Sequence, residues 1–154
     1  GCGLCSAVCP TGAAVQSALS PEWWANRLDA VMKTRAEQTL LVLACQRRAG
    51  SLERAFDEHG MHVDVIRFRC VGQIDAGMLL ELSRQPFTRV LVAGCVERRC
   101  RFTSGASLAA EQLGRAWSIL GTLGFDPSRI AADWSADRAG DRLEPAVARL
   151  AGGH

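Results

Sequence analysis

The segment RVLVAGCVERRCR, residues 89–101, is a short apolar run that continues through a glycine into Cys95, with Cys100 following after four intervening residues. The same construction occurs twice upstream, where the run TLLVLA ends at Cys45 and the run VDVIRFR ends at Cys70. Because parallel strands all point the same way, residues that end such strands lie along one edge of the sheet, where open α/β sheets bind their ligands. The sequence therefore predicts that these four cysteines converge. Convergent thiolates without an adjacent catalytic base are typical of a metal or iron–sulfur site.

Strand and helix patterns alternate from residue 39 onward. Apolar runs predict strands at 39–44, 63–69, 89–93 and 129–133, and helices are expected at about 51–59, 75–84, 107–123 and 141–150. This alternation predicts an α/β fold, with a four-stranded parallel sheet and helices on both faces. The first and third strands are continuous apolar runs, as expected for covered strands, whereas the second and fourth carry charged residues. We therefore expect the flavodoxin-like strand order 2-1-3-4, with Cys45 and Cys95 flanking the crevice between the first and third strands.

Two of the predicted helices have a clear apolar face. A connecting helix is expected within residues 20–38, where Ser20 supplies a hydroxyl cap and Pro21 suits the first helical position. Its apolar stripe is Trp23, Trp24, Leu28, Val31 and Met32. We expect this stripe to pack onto the sheet or onto the N-terminal segment, with a partner surface as the alternative. In the long helix after the third strand, the expected buried face is Leu113, Ala116, Trp117, Leu120 and Leu123.

Residues 1–19 are predicted to be the end of a 4Fe-4S ferredoxin-like domain. Cys2, Cys5 and Cys9, followed by Pro10, have the spacing C-x2-C-x3-C-P, which is that of the last three cysteines in the bacterial ferredoxin motif. The close spacing lets short turns wrap several thiolates around one cluster. The first cysteine of the motif would lie upstream of Gly1, so we expect a longer protein that holds a 4Fe-4S cluster.

Composition and charge argue against several classes of function. The chain has 154 residues, seven cysteines and a formal net charge of +2. That charge is too small to indicate a nucleic-acid partner, and no run reaches the ~18–20 apolar residues that a membrane helix needs. With no signal peptide, the cysteines are more typical of cytoplasmic thiols that hold metal than of a disulfide framework. Neither a dinucleotide-binding glycine motif nor a P-loop motif is present.

Several segments together resemble one known family. These segments are VIRFRCVGQIDAGMLLEL, VLVAGCVERRCRFTSG, the pair Ala110 and Arg115, and Trp134-Ser135-Ala136. Across residues 39–151 the chain looks like the delta, iron–sulfur subunit of methyl-viologen-reducing hydrogenase. The resemblance implies a 2Fe-2S cluster whose ligands would be Cys45, Cys70, Cys95 and Cys100. Family members usually carry a further cysteine three residues after the first-strand cysteine, where this chain has Arg48.

The resemblance also implies a function in electron transfer. The chain would relay electrons between a ferredoxin-type 4Fe-4S centre, the 2Fe-2S cluster and a partner oxidoreductase, and would catalyse no reaction alone. The partner would be a hydrogenase, a heterodisulfide-reductase-like flavoprotein or another dehydrogenase.

Six arginines adjoin the four cysteines in sequence: Arg47, Arg48, Arg69, Arg98, Arg99 and Arg101. Cations near a cluster favour its reduced form, raise its potential and lower the pKa of the thiols. Alternatively, the same arginines form a solvated basic rim that docks an acidic partner. The sequence leaves both roles open.

Alternative chemistries fit part of the cysteine pattern. The cysteines could hold structural zinc, although their spacing lacks the C-x2-C pairs of typical zinc sites, or they could be ordinary core residues. Residues 95–101 also match the C-x5-R phosphate loop of low-molecular-weight tyrosine phosphatases and arsenate reductases. In that chemistry a thiolate attacks the substrate while backbone amides and the arginine hold the oxyanion. Here the loop has no glycine, Phe102 replaces the usual Ser or Thr, and Cys45 and Cys70 would have no role.

Overall fold

The computed structural model describes residues 3–16, 20–33, 40–58, 63–85, 89–95 and 99–134. Cys2, Arg98 and the helix predicted at 141–150 lie outside these residues. Cys45, Cys70, Cys95 and Cys100 and the other five arginines lie within them.

Four strands in the described part of the chain form one parallel sheet: β1 (Leu40–Cys45), β2 (Val63–Phe68), β3 (Arg89–Ala93) and β4 (Ile130–Asp133). Their order is β2-β1-β3-β4, and each neighbouring pair is parallel. Every residue of β1 is buried, as expected for a central strand covered on both faces, whereas the edge strand β2 is only partly buried. The predicted α/β fold and strand order are confirmed.

The described helices are α1 (Leu4–Ala7), α2 (Pro21–Lys33), α3 (Gln46–Glu58), α4 (Ala76–Ser83) and α5 (Gly105–Thr122), with 3-10 turns at Val71–Gln73 and Pro127–Arg129. The N-terminus of α4 is as predicted, because the side chain of Asp75 accepts a hydrogen bond from Met78 N at 2.8 Å. The predicted start of α3, at residue 51, is wrong. The helix follows β1 without a loop, and Ser51 Oγ donates to Arg48 O inside it at 2.9 Å instead of capping an N-terminus.

Two apolar clusters form the core, one on each face of the sheet. On one face, Leu40, Val42 and Leu91 pack with Leu52 and Phe56 of α3. On the other face, side chains of β1, β2 and β3 pack with α2, α4 and α5. Successive side chains of a strand point to opposite faces, so each central strand contributes to both clusters. Helices therefore cover both faces of the sheet, as predicted.

The connecting helix α2 packs on the second of these faces. Trp24 and Leu28 are buried in the cluster, and the Trp23 ring contacts Phe68 edge-on at 5.8 Å between centroids. The indole N–H of Trp24 donates to Glu81 Oε2 of α4 at 2.6 Å. The expected packing of the tryptophan pair onto the sheet is confirmed.

One prediction about α5 is wrong at two positions. Leu113, Ala116 and Leu120 are buried, but Trp117 is 38% exposed and Leu123 is 62% exposed. The indole N–H of Trp117 donates to the backbone O of Ile130 at 2.9 Å, so this ring lies over the edge strand β4 instead of inside the core. None of the helices described here is both long and apolar enough to cross a membrane.

Candidate functional site

A cavity of about 600 Å³ opens at the carboxyl edge of β1, β2 and β3. All four cysteines predicted to converge lie on its wall. The lining residues are Cys45, Gln46, Arg47, Arg69, Cys70, Cys95, Cys100, Arg101 and Phe102. The site therefore lies at the position predicted from the topology of a parallel sheet.

Each of these cysteines reaches the cavity from a different chain segment. Cys45 is the last residue of β1, whereas Cys70 and Cys95 lie two residues beyond the ends of β2 and β3. Cys100 belongs to the connection between β3 and α5, where Thr103 N donates to Cys100 O at 3.1 Å. Thr103 has a φ of 57°, in the left-handed region that non-glycine residues seldom adopt. This tight turn brings Cys100 back toward the sheet before α5 begins.

Cys45 and Cys95 form one pair of thiols. Cys95 Sγ donates a hydrogen bond to Cys45 Sγ at 3.5 Å. This bond lowers the pKa of Cys45 to about 6, with help from the backbone and charge of Arg47, and it raises the pKa of Cys95. The two groups titrate as a unit that gives up its first proton easily and its second with difficulty. At neutral pH the pair therefore contains a thiolate, which is the form that binds metals.

Cys70 and Cys100 form the second pair. Burial, together with the charges of Cys100 and Cys45, raises the pKa of Cys70 to about 11. Both sulfurs crowd the first residue of α5, because a Cβ added to Gly105 would lie 2.2 Å from Cys70 Sγ and 3.3 Å from Cys100 Sγ. Only glycine leaves room for both thiols there. A metal ion bound to the sulfur would be needed to ionise Cys70 at neutral pH.

The pairing limits the metal chemistry that the cavity suits. In the chain segments that the structure covers, no group of three or more His, Cys, Asp or Glu side chains could hold a single metal ion. Two pairs of thiols suit a binuclear iron–sulfur cluster, in which four cysteines are shared between two irons. Structural zinc instead takes all four ligands around one ion.

Comparison with known proteins agrees with the resemblance seen in the sequence. The sequence model of the methyl-viologen-reducing hydrogenase delta subunit matches residues 41–152. The chain belongs to this family. The delta-subunit family consists of components of oxidoreductases, so membership assigns the chain to redox proteins.

Two curated relatives match the chain over a shorter segment, and both are heterodisulfide reductase subunits. The ferredoxin:CoB-CoM heterodisulfide reductase protein of Methanosarcina mazei is 28% identical over 86 residues, which cover 56% of this chain and 11% of the relative. The ferredoxin/F(420)H(2)-dependent CoB-CoM heterodisulfide reductase protein of Methanosarcina acetivorans is 26% identical over 86 residues, with the same coverage. The matched segment thus spans about a tenth of these relatives.

The arginines of this delta-subunit family member differ in placement. Arg47, Arg69 and Arg101 line the cavity, so their charges lie beside the thiols. Arg99 is exposed and is not part of the cavity lining. Arg98 lies outside the described residues. Three of the five arginines that the structure describes are therefore positioned to act directly on a group held in the cavity.

Arg48 has a contact that sequence reasoning missed. Its guanidinium donates to Gly94 O at 2.8 Å, to Asp133 O at 3.2 Å and to Asp133 Oδ2 at 2.9 Å. The guanidinium links the start of α3 to the ends of β3 and β4. Arg48 is not among the residues that line the cavity. Its charge still contributes to the low pKa of Cys45. No sequence signal could have shown the ion pair, because the two residues are 85 positions apart.

The N-terminal segment carries the remaining predicted ligands. Cys5 is exposed on α1 and Cys9 is half-buried just after it, whereas Cys2 lies outside the described residues. A hydrogen bond with the Thr11 hydroxyl, 3.5 Å away, lowers the pKa of Cys9 to about 7, with further help from backbone N–H groups. Cys9 therefore has partial thiolate character at neutral pH.

Proposed function

We propose that this chain is an electron-transfer module that holds a 2Fe-2S cluster on Cys45, Cys70, Cys95 and Cys100. The observation that carries the proposal is the arrangement of these thiols as two pairs around one cavity. Cys45 and Cys95 would bind one iron, and Cys70 and Cys100 would bind the other. Membership in a hydrogenase subunit family supports a redox function.

The residues around the thiols favour assembly of such a cluster, which supplies a one-electron carrier when bound. Cys45 offers a thiolate at neutral pH, whereas Cys95 and Cys70 have raised pKa values and release protons as metal binds. Arg47, Arg69 and Arg101 place positive charge beside four thiolates, and Gly105 leaves space for two of the sulfurs. Cationic neighbours stabilise the reduced cluster, which carries more negative charge than the oxidised one.

In the proposed relay, the N-terminal segment contributes Cys2, Cys5 and Cys9 to a ferredoxin-type 4Fe-4S centre in a longer protein. Electrons pass between that centre, the 2Fe-2S cluster and a partner hydrogenase, heterodisulfide-reductase-like flavoprotein or other oxidoreductase. The names of the two relatives, both subunits of heterodisulfide reductases, support this class of partner. The chain transfers electrons without its own substrate, and we assign it to the cytoplasm because free thiols persist in reducing compartments.

Metal and sulfide analysis after anaerobic purification or reconstitution tests this proposal. A variant with Cys2→Ser, Cys5→Ser and Cys9→Ser confines the measurement to the cavity. We expect about two irons and two acid-labile sulfides per chain, and an S = ½ signal after reduction with dithionite. Stoichiometric zinc without sulfide would instead support the structural-zinc alternative.

A single substitution tests the ligand set. Cys95→Ser is expected to abolish the visible charge-transfer bands of the cavity cluster, because it removes one of the thiolates. Cys5→Ser is the matched control, since it removes an exposed thiol that is not part of the cavity lining and leaves those bands unchanged. Full colour and iron content in the Cys95→Ser protein would remove Cys95 from the ligand set.

A further inference from the structure

The N-terminal segment packs against the turn that follows Cys70, where the contact is made at Gly72. Gly72 lies in the 3-10 turn just after Cys70, and a Cβ added to it would lie 2.2 Å from Leu4 Cδ2. The same Cβ would lie 2.9 Å from Gly105 O and 3.0 Å from Gly105 Cα. Leu4 of α1 therefore rests directly on Gly72, which in turn rests on the first residue of α5. We call Gly72 and Gly105 the glycine seat.

The far side of the glycine seat is in contact with a proposed cluster ligand. Gly105 leaves no room for a side chain beside Cys70 Sγ. The backbone N–H of Gly72 hydrogen-bonds to the Cys70 sulfur, which lowers the pKa of that thiol against the larger effect of burial. Hydrogen bonds to ligand sulfurs tune iron–sulfur centres. A continuous series of contacts thus runs from Leu4 through Gly72 to Cys70.

A second contact specifies how the segment sits on the turn. Gly3 has a φ of 77°, and a Cβ added to it would lie 2.4 Å from Nε2 and 2.6 Å from Cγ of Gln73. Gln73 is only 6% exposed. Gly3 and Leu4 fall between Cys2 and Cys5, inside the ferredoxin-type motif. The residues that would surround an N-terminal centre are therefore the ones packed on the turn after Cys70.

We propose that the glycine seat couples the two redox sites of this protein, and that electrons cross between them at Leu4, Gly72 and Cys70. The inference rests on the proposed function, and it adds the route of the electrons and the ligand at which they enter the cavity centre. The donor at the N-terminal segment loses one electron and is oxidised. The centre in the cavity gains that electron and is reduced. Electrons therefore enter the cavity centre at the Cys70–Cys100 pair. The Cys45–Cys95 pair, beside Arg47, lies on the other side of that centre.

The small size of residue 72 is what permits this contact. A Cβ at residue 72 would clash with both Leu4 Cδ2 and Gly105 O, so both groups would have to move, and the leucine side chain moves more readily than the backbone of a helix start. The packing of the Leu4 side chain on residue 72 would then be disturbed. Leu4→Ala breaks the same series of contacts by the opposite change, because it removes the side chain that bridges α1 and Gly72.

Light-driven electron injection at Cys5 tests the coupling in the chain as it exists. A ruthenium polypyridyl label is attached to the exposed thiol of Cys5 in the Cys2→Ser/Cys9→Ser protein after the cavity has been loaded with iron and sulfide. A flash in the presence of ascorbate reduces the label, which passes one electron to the cavity centre. Bleaching of the visible cluster band gives the rate constant of this transfer.

We expect the rate constant to fall several-fold in Gly72→Ala and in Leu4→Ala. Leu123→Ala, which shortens an exposed leucine at the end of α5, is the matched control and should leave the rate constant unchanged. If the cavity takes up no cluster, both this inference and the proposed function are wrong. If the cluster loads and the two variants transfer electrons as fast as the parent, the glycine seat is not the route and the proposed function stands. If the Gly72→Ala protein takes up no cluster, the rate constant of the Leu4→Ala protein alone decides whether the glycine seat is the route.

Discussion

Replacing Arg48 with methionine is expected to lower the free energy of unfolding by about 3–5 kcal/mol, because it removes one member of a buried ion pair. The side chains of Arg48 and Asp133 are 13% and 10% exposed. The guanidinium makes hydrogen bonds to the Asp133 carboxylate at 2.9 Å and to Gly94 O at 2.8 Å. Methionine retains much of the aliphatic stem but none of these donors, so the carboxylate keeps its desolvation cost and loses the compensating charge.

Urea denaturation followed by circular dichroism measures this loss, with all variants compared in the same metal-loading state. In a chain of this size each kcal/mol corresponds to about 2–4 °C in the melting temperature, so the expected decrease is about 6–20 °C. Asp133→Asn and the Arg48→Met/Asp133→Asn double variant complete a double-mutant cycle. The double variant should be more stable than the sum of the two single changes predicts, because the pair interacts directly.

Arg47→Met is the matched control for this cycle. Arg47 is the preceding residue of α3, but it is exposed and lines the cavity, so its loss should change stability by no more than about 0.5 kcal/mol. A loss below about 1 kcal/mol in Arg48→Met would refute the reasoning, since an exposed ion pair contributes no more than that.

The remaining predictions concern the thiols, the cavity charge and a helix cap. In metal-free protein, the rate at which iodoacetamide alkylates Cys45 should rise with pH, with a midpoint near pH 6. Cys95→Ala should raise that midpoint, because it removes the donated hydrogen bond. Mass spectrometry of the labelled peptide measures the rate. The folded-state pKa of Cys45 lies below its ordinary value of 9.0. The contribution of this thiol to the free energy of unfolding of the metal-free protein should therefore rise between pH 6 and pH 9, and it should be lost as the pH falls through 6. A flat stability profile over this range in the Cys70→Ala background would contradict the prediction. Arg101→Gln should lower the midpoint potential of the loaded cavity centre in a redox titration, whereas an unchanged potential would leave this arginine only a docking role. Asp75→Ala should cost about 0.5–2 kcal/mol in urea denaturation because it removes the cap of α4, and Asp75→Asn should recover most of that loss.

Much of the fold could be predicted because it depends on local patterns. The apolar runs that end near Cys45 and Cys95 are not interrupted by polar residues, so both faces of these strands must be buried. This predicted that they are the central strands. The helix predicted at 75–84 begins at the N-cap Asp75, whose short acidic side chain satisfies backbone donors that any helix N-terminus exposes. The convergence of Cys45, Cys70 and Cys95 followed from topology, since parallel strands end at one edge, whereas the position of Cys100 depends on the turn before α5.

Further features depend on neighbours that are distant in sequence. Trp117 has the spacing of a core residue, yet it lies over β4 because the sheet ends there. The start of α3 was missed because nothing local marks a strand that passes into a helix without a loop. The glycines at 72 and 105 gave no sign of function, since the atoms that crowd them belong to Leu4 and Cys70.

The sequence by itself therefore determined the fold class, the strand order and the set of thiols at one edge of the sheet, because hydrophobic periodicity and strand direction are properties of short segments. Only the tertiary structure decided that Cys45 pairs with Cys95 and Cys70 with Cys100, and that Arg48 bonds to Asp133 while Arg47 faces the cavity. Those arrangements depend on side-chain directions and loop turns fixed by packing between residues up to 85 positions apart, and no local pattern encodes them.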